Sequence, residues 1–268
     1  MIGKLPRTAV LLALPVALAT APVRAALPPE LAAAMQYLRE QHSYAWEVIN
    51  GDPGPVAQSI ETARGTIKTV QHNTAPHLKG RLSASGEMLI ERDWPDGLTI
   101  QTLVAADGAM ATNTPDGWLS QQELLEAIAA ERLRAGGPSE RAQWLPRAEA
   151  VDTRRPLDEL GAFVDEHKNF EASGDTFIGV FGIQTGNPTA AGEDSQVGQA
   201  TVTIHLAGGV LRDYEVKSEL ARYVTRAKIP IVTTSDRIVV LSYLPVGRID
   251  VPDEARAKLW PGRTKPDG

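Results

Sequence analysis

Alternating apolar and polar residues dominate this chain and predict β-strands along most of its length. Tyr44, Trp46 and Val48 alternate with Ala45 and Glu47, as they would in a strand with one buried face. The same period of two returns in segments that begin near residues 59, 88, 98, 109, 118, 169, 176, 200, 210 and 233. These segments predict about ten strands, divided into two runs by a helical region near the middle of the chain.

Glycine-containing turns separate the predicted strands of the first run. Asp107-Gly108 and Asp116-Gly117 follow alternating segments, and Trp94-Pro95-Asp96-Gly97 precedes another. Because Asp-Gly pairs tolerate the positive φ angles of tight hairpins, this part of the chain is predicted to be an antiparallel meander. In the second run, the small and polar segment 185–199 predicts a loop between strands.

Apolar residues at a period near 3.6 predict helices at the start, in the middle and at the end of the chain. Pro28-Pro29-Glu30 opens the first helix, since proline at a helix start sacrifices no hydrogen bond. A capping box at Ser120 and Glu123 opens the second. A short helical turn is predicted around Trp144, and a final helix start at Val251-Pro252-Asp253-Glu254-Ala255. The predicted apolar faces are Leu31, Ala34, Met35 and Leu38; Leu125, Ile128, Ala129 and Leu133; and Leu157, Leu160, Gly161 and Val164.

Two runs of antiparallel strands with helices between them indicate an α+β fold. One strongly curved antiparallel sheet, an open half-barrel of about ten strands covered by a few helices, would accommodate both runs. The predicted unit is a single domain over residues 27–260, followed by a frayed tail over residues 261–268. Two separate sheets with a boundary near residues 136–156 are the alternative.

Residues 1–26 have the organisation of a secretory signal peptide. A basic start and an apolar run over residues 8–22 precede Val23-Arg24-Ala25, the small-x-small pattern that a peptidase cuts just before Ala26 or Leu27. The apolar run is shorter than the roughly 20 residues that a membrane-spanning helix needs. We therefore expect an exported protein, periplasmic or secreted, that is not an integral membrane protein.

The charge balance and the lack of cysteine exclude several kinds of chemistry and partner. The chain contains 27 basic residues, 33 acidic residues and no cysteine. It therefore has no disulfide, no thiolate chemistry and no residue for lipid attachment after the leader. Its formal net charge at pH 7 is −6, and removal of the leader with its basic residues makes the charge more negative. Because an acidic surface repels phosphate backbones, nucleic acid is not an expected partner.

No motif in the chain predicts catalysis, a cofactor or a metal centre. The nucleophile-elbow pattern and the phosphate-binding glycine patterns are missing. His72 and His77 have a proline between them and lack the spacing of helical metal ligands. Asp93 and Asp96 flank Trp94 in an arrangement that faintly resembles a sugar-binding platform, but turn chemistry accounts for both acids. We expect no enzyme activity, no cofactor and no metal, with a secreted hydrolase as the remote alternative.

Strand parity predicts which side chains face the interior of a curved sheet. Such a face would line a cavity for an acyl chain, or it would pack as an ordinary core against the helices, and residue types alone do not separate the two. The predicted inward-facing residues are Tyr44, Trp46, Val48, Met88, Ile90, Ile100, Val104, Val202, Ile204, Tyr214, Val239 and Leu241.

The layout resembles the bacterial lipoprotein-carrier superfamily (LolA/LolB-like). The resemblance rests on a short amphipathic helix followed by the strand Ser43-Tyr44-Ala45-Trp46-Glu47, a meander that ends in Gly117-Trp118, and the closing segment Val251-Pro252-Asp253-Glu254-Ala255. It implies an unclosed β-barrel covered by helices, with acyl chains held between sheet and helices and with neither catalytic residue nor cofactor. Family members shuttle lipoproteins, carry lipids or sense envelope stress. This chain differs from several membrane-anchored relatives because it lacks their lipidated cysteine.

Together these observations predict an exported protein that binds or carries a lipid or an acylated protein. Its possible partners are a lipid or lipoprotein acyl chain and another envelope protein. The alternative is an envelope interaction or regulatory module with a packed interior, which would contact its partner through a sheet edge or through segment 185–199.

Overall fold

A computed structural model describes residues 26–51, 56–62, 65–71, 75–134, 137, 139–166, 169–185, 195–223 and 231–262. The predicted leader over residues 1–25 and most of the predicted tail, residues 263–268, lie outside these ranges. Within them the helices are α1 (Pro29–Glu40), α2 (Gln121–Arg132), α3 (Arg141–Glu149), α4 (Pro156–Glu166) and α5 (Asp253–Leu259). The strands are β1 (Tyr44–Asn50), β2 (Val56–Thr62), β3 (Gly65–Gln71), β4 (His77–Leu82), β5 (Met88–Asp93), β6 (Thr99–Val104), β7 (Met110–Thr114), β8 (Gly117–Ser120), β9 (Phe170–Ser173), β10 (Thr176–Thr185), β11 (Ser195–Ala207), β12 (Val210–Tyr223) and β13 (Ile231–Ser242).

Both runs of strands belong to one antiparallel sheet of 11 strands. Its order is β8-β7-β6-β5-β4-β1-β13-β12-β11-β10-β9, so β1 lies in the middle, between β4 and β13. The two end strands do not pair with each other, and the sheet is therefore open. Strands β2 and β3 form a separate two-stranded hairpin between β1 and β4. The predicted α+β class and the open antiparallel sheet are confirmed.

Three hairpins of the first run share one turn design. Gly86, Gly97 and Gly108 adopt φ angles of 85°, 88° and 86°. In each turn the glycine amide donates to the carbonyl three residues earlier, for example from Gly97 to Trp94 at 3.0 Å. A residue with a side chain is strained at such φ angles, which explains why glycine ends each turn. The predicted meander is confirmed.

The strand predictions were wrong in three places. The stretch 59–70, predicted as one extended segment, is the hairpin of β2 and β3. Strand β4 was not predicted, because Lys79, Gly80 and Arg81 interrupt its apolar pattern. Residues 195–199, predicted as loop, form the start of β11, where backbone pairing with β10 and β12 overrides their polar composition. Residues 186–194 of that predicted loop lie outside the described residues.

The helices cover the two faces of the sheet unequally. We call the face that carries Trp46, Ile90 and Tyr214 the inner face. Helices α1 and α4 pack on it over the second run of strands and form one large apolar cluster with them. Helices α2 and α3 cover the inner face near β6, whereas α5 packs on the outer face of β6 and β7. None of the described helices is both long and apolar enough to cross a membrane.

Helix α1 matches its prediction residue by residue, but α2 does not. The predicted face of α1, Leu31, Ala34, Met35 and Leu38, is 0 % exposed. On α2, the capping box of Ser120 and Glu123 is confirmed. The buried residues of α2 are Leu124 and Ile128, while Leu125 and Leu133 of its predicted face are 52 % and 85 % exposed. Helix α2 therefore packs through a narrow ridge of two residues spaced i, i+4. The apolar stripe in the sequence is wider than this ridge, and the pattern alone does not show which side of the stripe faces the sheet.

Candidate functional site

The twelve side chains predicted to face inward do lie on one face of the sheet. Direct cross-strand pairs connect them, as between Trp46 and Leu241, Val48 and Val239, and Tyr214 and Val239. All twelve are buried except Val48 and Val104, which are half-buried. The period of two therefore identified the correct face. Whether that face holds a ligand stays a prediction.

Most of the twelve pack against helices and do not border open space. Ile90, Val202 and Ile204 belong to the cluster beneath α1 and α4, and Ile100 belongs to the cluster beneath α2 and α3. The exceptions are Trp46, Val48, Tyr214 and Val239, which border a cavity of about 180 Å³. Small-molecule pockets usually exceed about 300 Å³. The inner face is therefore largely filled by its own helices.

One side of this cavity is polar, and sequence analysis did not identify it. Arg92 of β5, Arg237 of β13, Glu159 of α4 and the residues Asp152 and Arg154 before α4 all border it. Arg92 follows Met88 and Ile90 at the parity of the inner face, so its inward direction was readable from the pattern. The carboxylates of Glu159 and Asp152 come from α4 and from the segment before it. Their position was not predictable, because a local sequence pattern does not show where a helix packs on a sheet.

A buried hydrogen-bonded group connects α4 to the sheet. Tyr214 Oη donates to Glu159 Oε2 at 2.7 Å, and Arg237 forms an ion pair with the other carboxylate oxygen. Glu159 is 9 % exposed and Tyr214 is 0 % exposed. Burial raises the pKa of Tyr214 well above its usual value. The phenol is therefore neutral and acts as a donor at every physiological pH.

Asp152 and Arg154 form a second ion pair at the cavity. Arg154 Nε and Nη2 donate to the two carboxylate oxygens of Asp152 at 2.9 and 2.6 Å. Burial alone would raise the pKa of Asp152, but these hydrogen bonds outweigh it and hold that pKa below its usual value. Both carboxylates that border the cavity, Asp152 and Glu159, thus have a guanidinium partner.

Arg92 is the third cation of the cavity and is bound differently. Its Nη1 donates to the backbone carbonyls of Arg147 and Ala150, at 2.8 and 3.2 Å, where α3 ends. Its guanidinium carbon lies 5.2 Å from the ring centre of Trp94. Its Nε and Nη2 are buried and have no hydrogen-bond partner among the described residues. Burial lowers the pKa of Arg92 to about 10, as expected of a cation taken out of water.

Among the described residues, the other candidates form no catalytic or metal arrangement. Trp94 is 9 % exposed and lies beneath Arg92 and Arg147, so it offers no open platform for a sugar. Asp96 forms an ion pair with Arg147. His77 Nε2 lies 2.7 Å from Glu47 Oε1, and His72 is outside the described residues. Within the described part of the chain, no three or more histidine, aspartate or glutamate residues group together as metal ligands.

Other hollows lie on the surface of the described residues. A polar cleft of about 1010 Å³ lies between the turns at residues 96–98 and 115–116 and helix α3. A shallow groove of about 400 Å³ crosses the outer face of β1, β4, β5 and β13. Lys79, Arg81 and Glu91 border this groove together with apolar residues such as Leu89 and Val240.

Comparisons with known proteins add no information to these geometric observations. No protein-family model matches the chain, and no match was found among curated proteins or among solved structures. The similarity to lipoprotein carriers therefore remains a resemblance in layout.

Proposed function

We propose that this protein is an exported, non-enzymatic binding protein for the apolar chain of a lipid or of an acylated protein. The apolar chain of the ligand would lie on the inner face of the sheet, curved into an open half-barrel, in the space that α1 and α4 fill in this structure. The observation that carries the proposal is the cover of this apolar face. Over the second run of strands, the two short helices α1 and α4 cover this face, whereas many antiparallel sheets are covered by a second sheet.

Helix α1 is the element best suited to move. It is 12 residues long and contacts mainly β12 and α4. Its large buried side chains are Leu31, Met35 and Leu38. Exposing each costs about 1.5–3 kcal/mol, whereas an acyl chain gains about 0.8 kcal/mol per buried methylene. A chain of roughly twelve methylenes or more therefore offsets the displacement of α1.

The small cavity makes displacement of the helix a requirement for binding. A space of about 180 Å³ does not accommodate a long acyl chain. Holding α1 against the sheet should consequently prevent binding. The chain has no cysteine, so two introduced cysteines are the only thiols available for a cross-link.

Tyr37 of α1 and Tyr243 after β13 are suitable positions for this cross-link. Their ring centres are 5.3 Å apart, and Tyr37 is 38 % exposed. We expect the Tyr37→Cys/Tyr243→Cys protein to bind a fluorescent fatty acid before treatment with a short bis-maleimide and to lose binding after it. Fluorescence titration measures both states.

A cross-link on the outer face is the matched control. Trp260 Nε1 donates to Asp107 Oδ2 at 3.1 Å where α5 meets the β6–β7 turn. The Trp260→Cys/Asp107→Cys protein should keep its affinity after the same treatment. Equal binding by the free and cross-linked Tyr37→Cys/Tyr243→Cys protein would overturn the proposed displacement of α1.

The filled inner face favours a second candidate function, an envelope interaction module that binds no small ligand. It would use a sheet edge, β8 or β9, to contact a partner protein. Native mass spectrometry of the protein purified from its own envelope separates the two candidates. Co-purified lipid supports the carrier, whereas bare protein that also fails to bind the fluorescent fatty acid supports the interaction module.

A further inference from the structure

The buried fork of Arg92 has the geometry of an anion receptor. A guanidinium binds a carboxylate most strongly through two parallel N–H groups on one edge. Arg92 uses Nη1 for the end of α3, which leaves Nε and Nη2, the two donors of one edge, without a partner among the described residues. The side chain is 2 % exposed and borders the 180 Å³ cavity.

Two neighbouring arginines demonstrate what this edge binds. Arg154 directs Nε and Nη2 at the carboxylate of Asp152, and Arg155 directs the same two atoms at Asp158, at 2.8 and 2.9 Å. The pKa values of both arginines are raised, first of all by those hydrogen bonds. Arg92 instead has its pKa lowered by burial, and no carboxylate of the described residues contributes to this shift.

Among the described residues that border the cavity, one cation has no carboxylate partner. These residues include three arginines, Arg92, Arg154 and Arg237, and two carboxylates, Asp152 and Glu159. Asp152 pairs with Arg154, and Glu159 pairs with Arg237. The excess positive charge is therefore located at Arg92, and an anion bound there would not displace an existing pair.

An apolar path leads away from this cation across the sheet. The register pairs Arg92 with Leu78, Leu78 with Val48, Val48 with Val239, and Val239 with Tyr214. The row crosses four strand spacings, about 19 Å, and its three middle residues are aliphatic. Val239 and Tyr214 belong to the cluster that α1 and α4 form with the sheet, and Val48 and Leu78 pack against this cluster.

We propose that this site binds the carboxylate of a long-chain fatty acid through Arg92, with the chain laid along Leu78, Val48 and Val239. This inference rests on the proposed function and selects the ligand class within it. The small volume beside Arg92 favours a carboxylate over the bulkier head of a phospholipid. An ester or amide chain, as in an acylated protein, lacks the charge that the fork requires.

The test compares palmitate with methyl palmitate on the unchanged full chain, by isothermal titration calorimetry at about pH 8, where the acid is ionised. We expect palmitate to bind at least tenfold more tightly, since one charge-assisted pair of hydrogen bonds supports such a ratio. Because this comparison changes only the ligand, it does not depend on how a variant folds.

Substitution of Arg92 then tests whether its Nε and Nη2 donors cause the preference for palmitate over methyl palmitate. Arg92→Lys keeps a positive charge that can reach the carbonyls of α3 but lacks the planar pair of donors. We expect the advantage of palmitate over its ester to fall to roughly threefold or less. Arg81→Lys, at an exposed position on the outer face of β4, is the matched control and should keep the full ratio.

Each of the other outcomes overturns the carboxylate site, the fatty-acid proposal or the proposed function. Equal affinities for acid and ester, unaffected by Arg92→Lys, overturn the carboxylate site and leave the proposed function standing. Binding of neither palmitate nor its ester overturns both. If acetate alone stabilises the protein as much as palmitate does, in thermal unfolding, the site binds small anions and the fatty-acid proposal is wrong.

Discussion

Trp46 and Gly80 are in close contact on the inner face. The two residues are cross-strand partners on β1 and β4. A Cβ atom at Gly80 would lie 2.0 Å from the indole of Trp46. The ring therefore covers the glycine backbone, and the position accepts no larger residue without movement of Trp46. Glycine is selected here by close approach, since its φ angle is not positive.

We expect Gly80→Ala to lower the free energy of unfolding by about 1–3 kcal/mol, because the added methyl group forces the indole from its place. Urea denaturation measures the change. Gly182→Ala in β10 is the matched control, since a Cβ atom there meets nothing within 4 Å. Equal effects of the two substitutions would contradict the proposed steric cause.

At the scale of elements, α2 depends on its N-terminal cap. The Ser120 hydroxyl accepts the amide of Glu123, and the Glu123 carboxylate accepts the amide of Ser120 at 2.8 Å. We expect Ser120→Ala to destabilise the protein by about 0.5–2 kcal/mol in thermal or chemical unfolding. Gln121→Ala, one residue further on and exposed, should change stability by a few tenths of a kcal/mol at most.

The start of α4 should make stability depend on pH. The hydrogen bond from Arg155 holds the pKa of Asp158 below its usual value. A depressed carboxyl pKa stabilises the fold above the pKa of the unfolded chain, about 4, and this contribution is lost as the pH falls through the folded pKa. The stability difference between the natural protein and Asp158→Asn should therefore shrink from pH 7 towards about pH 2.5.

Denaturation at a series of pH values measures this convergence. Asp165→Asn, exposed on the same helix and outside the Arg155–Asp158 pair, serves as the control for the loss of a surface carboxylate. A constant difference between Asp158→Asn and the natural protein across the series would argue against the Arg155–Asp158 pair as the cause.

The same elements show how far the sequence predicts this structure. Local periodicity was sufficient for α1, for the meander and for the common face of the twelve inward residues, because each depends on neighbours in the chain. It failed for β4, whose place in the sheet depends on pairing with β1 and β5. It also failed for the polar cavity, where the α3 carbonyls that receive Arg92 lie more than 50 positions away along the chain.

At the scale of the whole molecule, the first prediction concerns export. We expect the protein recovered from its own envelope to begin at Ala26 or Leu27, as intact mass and N-terminal sequencing would show. A protein with Ala25→Phe and Ala26→Phe should keep its leader, because peptidases require small residues at the cut. Recovery of the unprocessed natural chain from the cytoplasm would contradict the assignment of a leader.

The position of β1 at the centre of the sheet has a consequence for biosynthesis. Val48 pairs on one side with Leu78 and on the other with Val239, so the middle of the sheet joins the first third of the chain to the last third. Strand β13 is the last of the described strands to be synthesised. Until then, β1 and β12 each have one edge without its partner strand. The growing chain therefore cannot complete its sheet before β13 has been made, and we expect a product truncated before Ile231 to aggregate rather than fold.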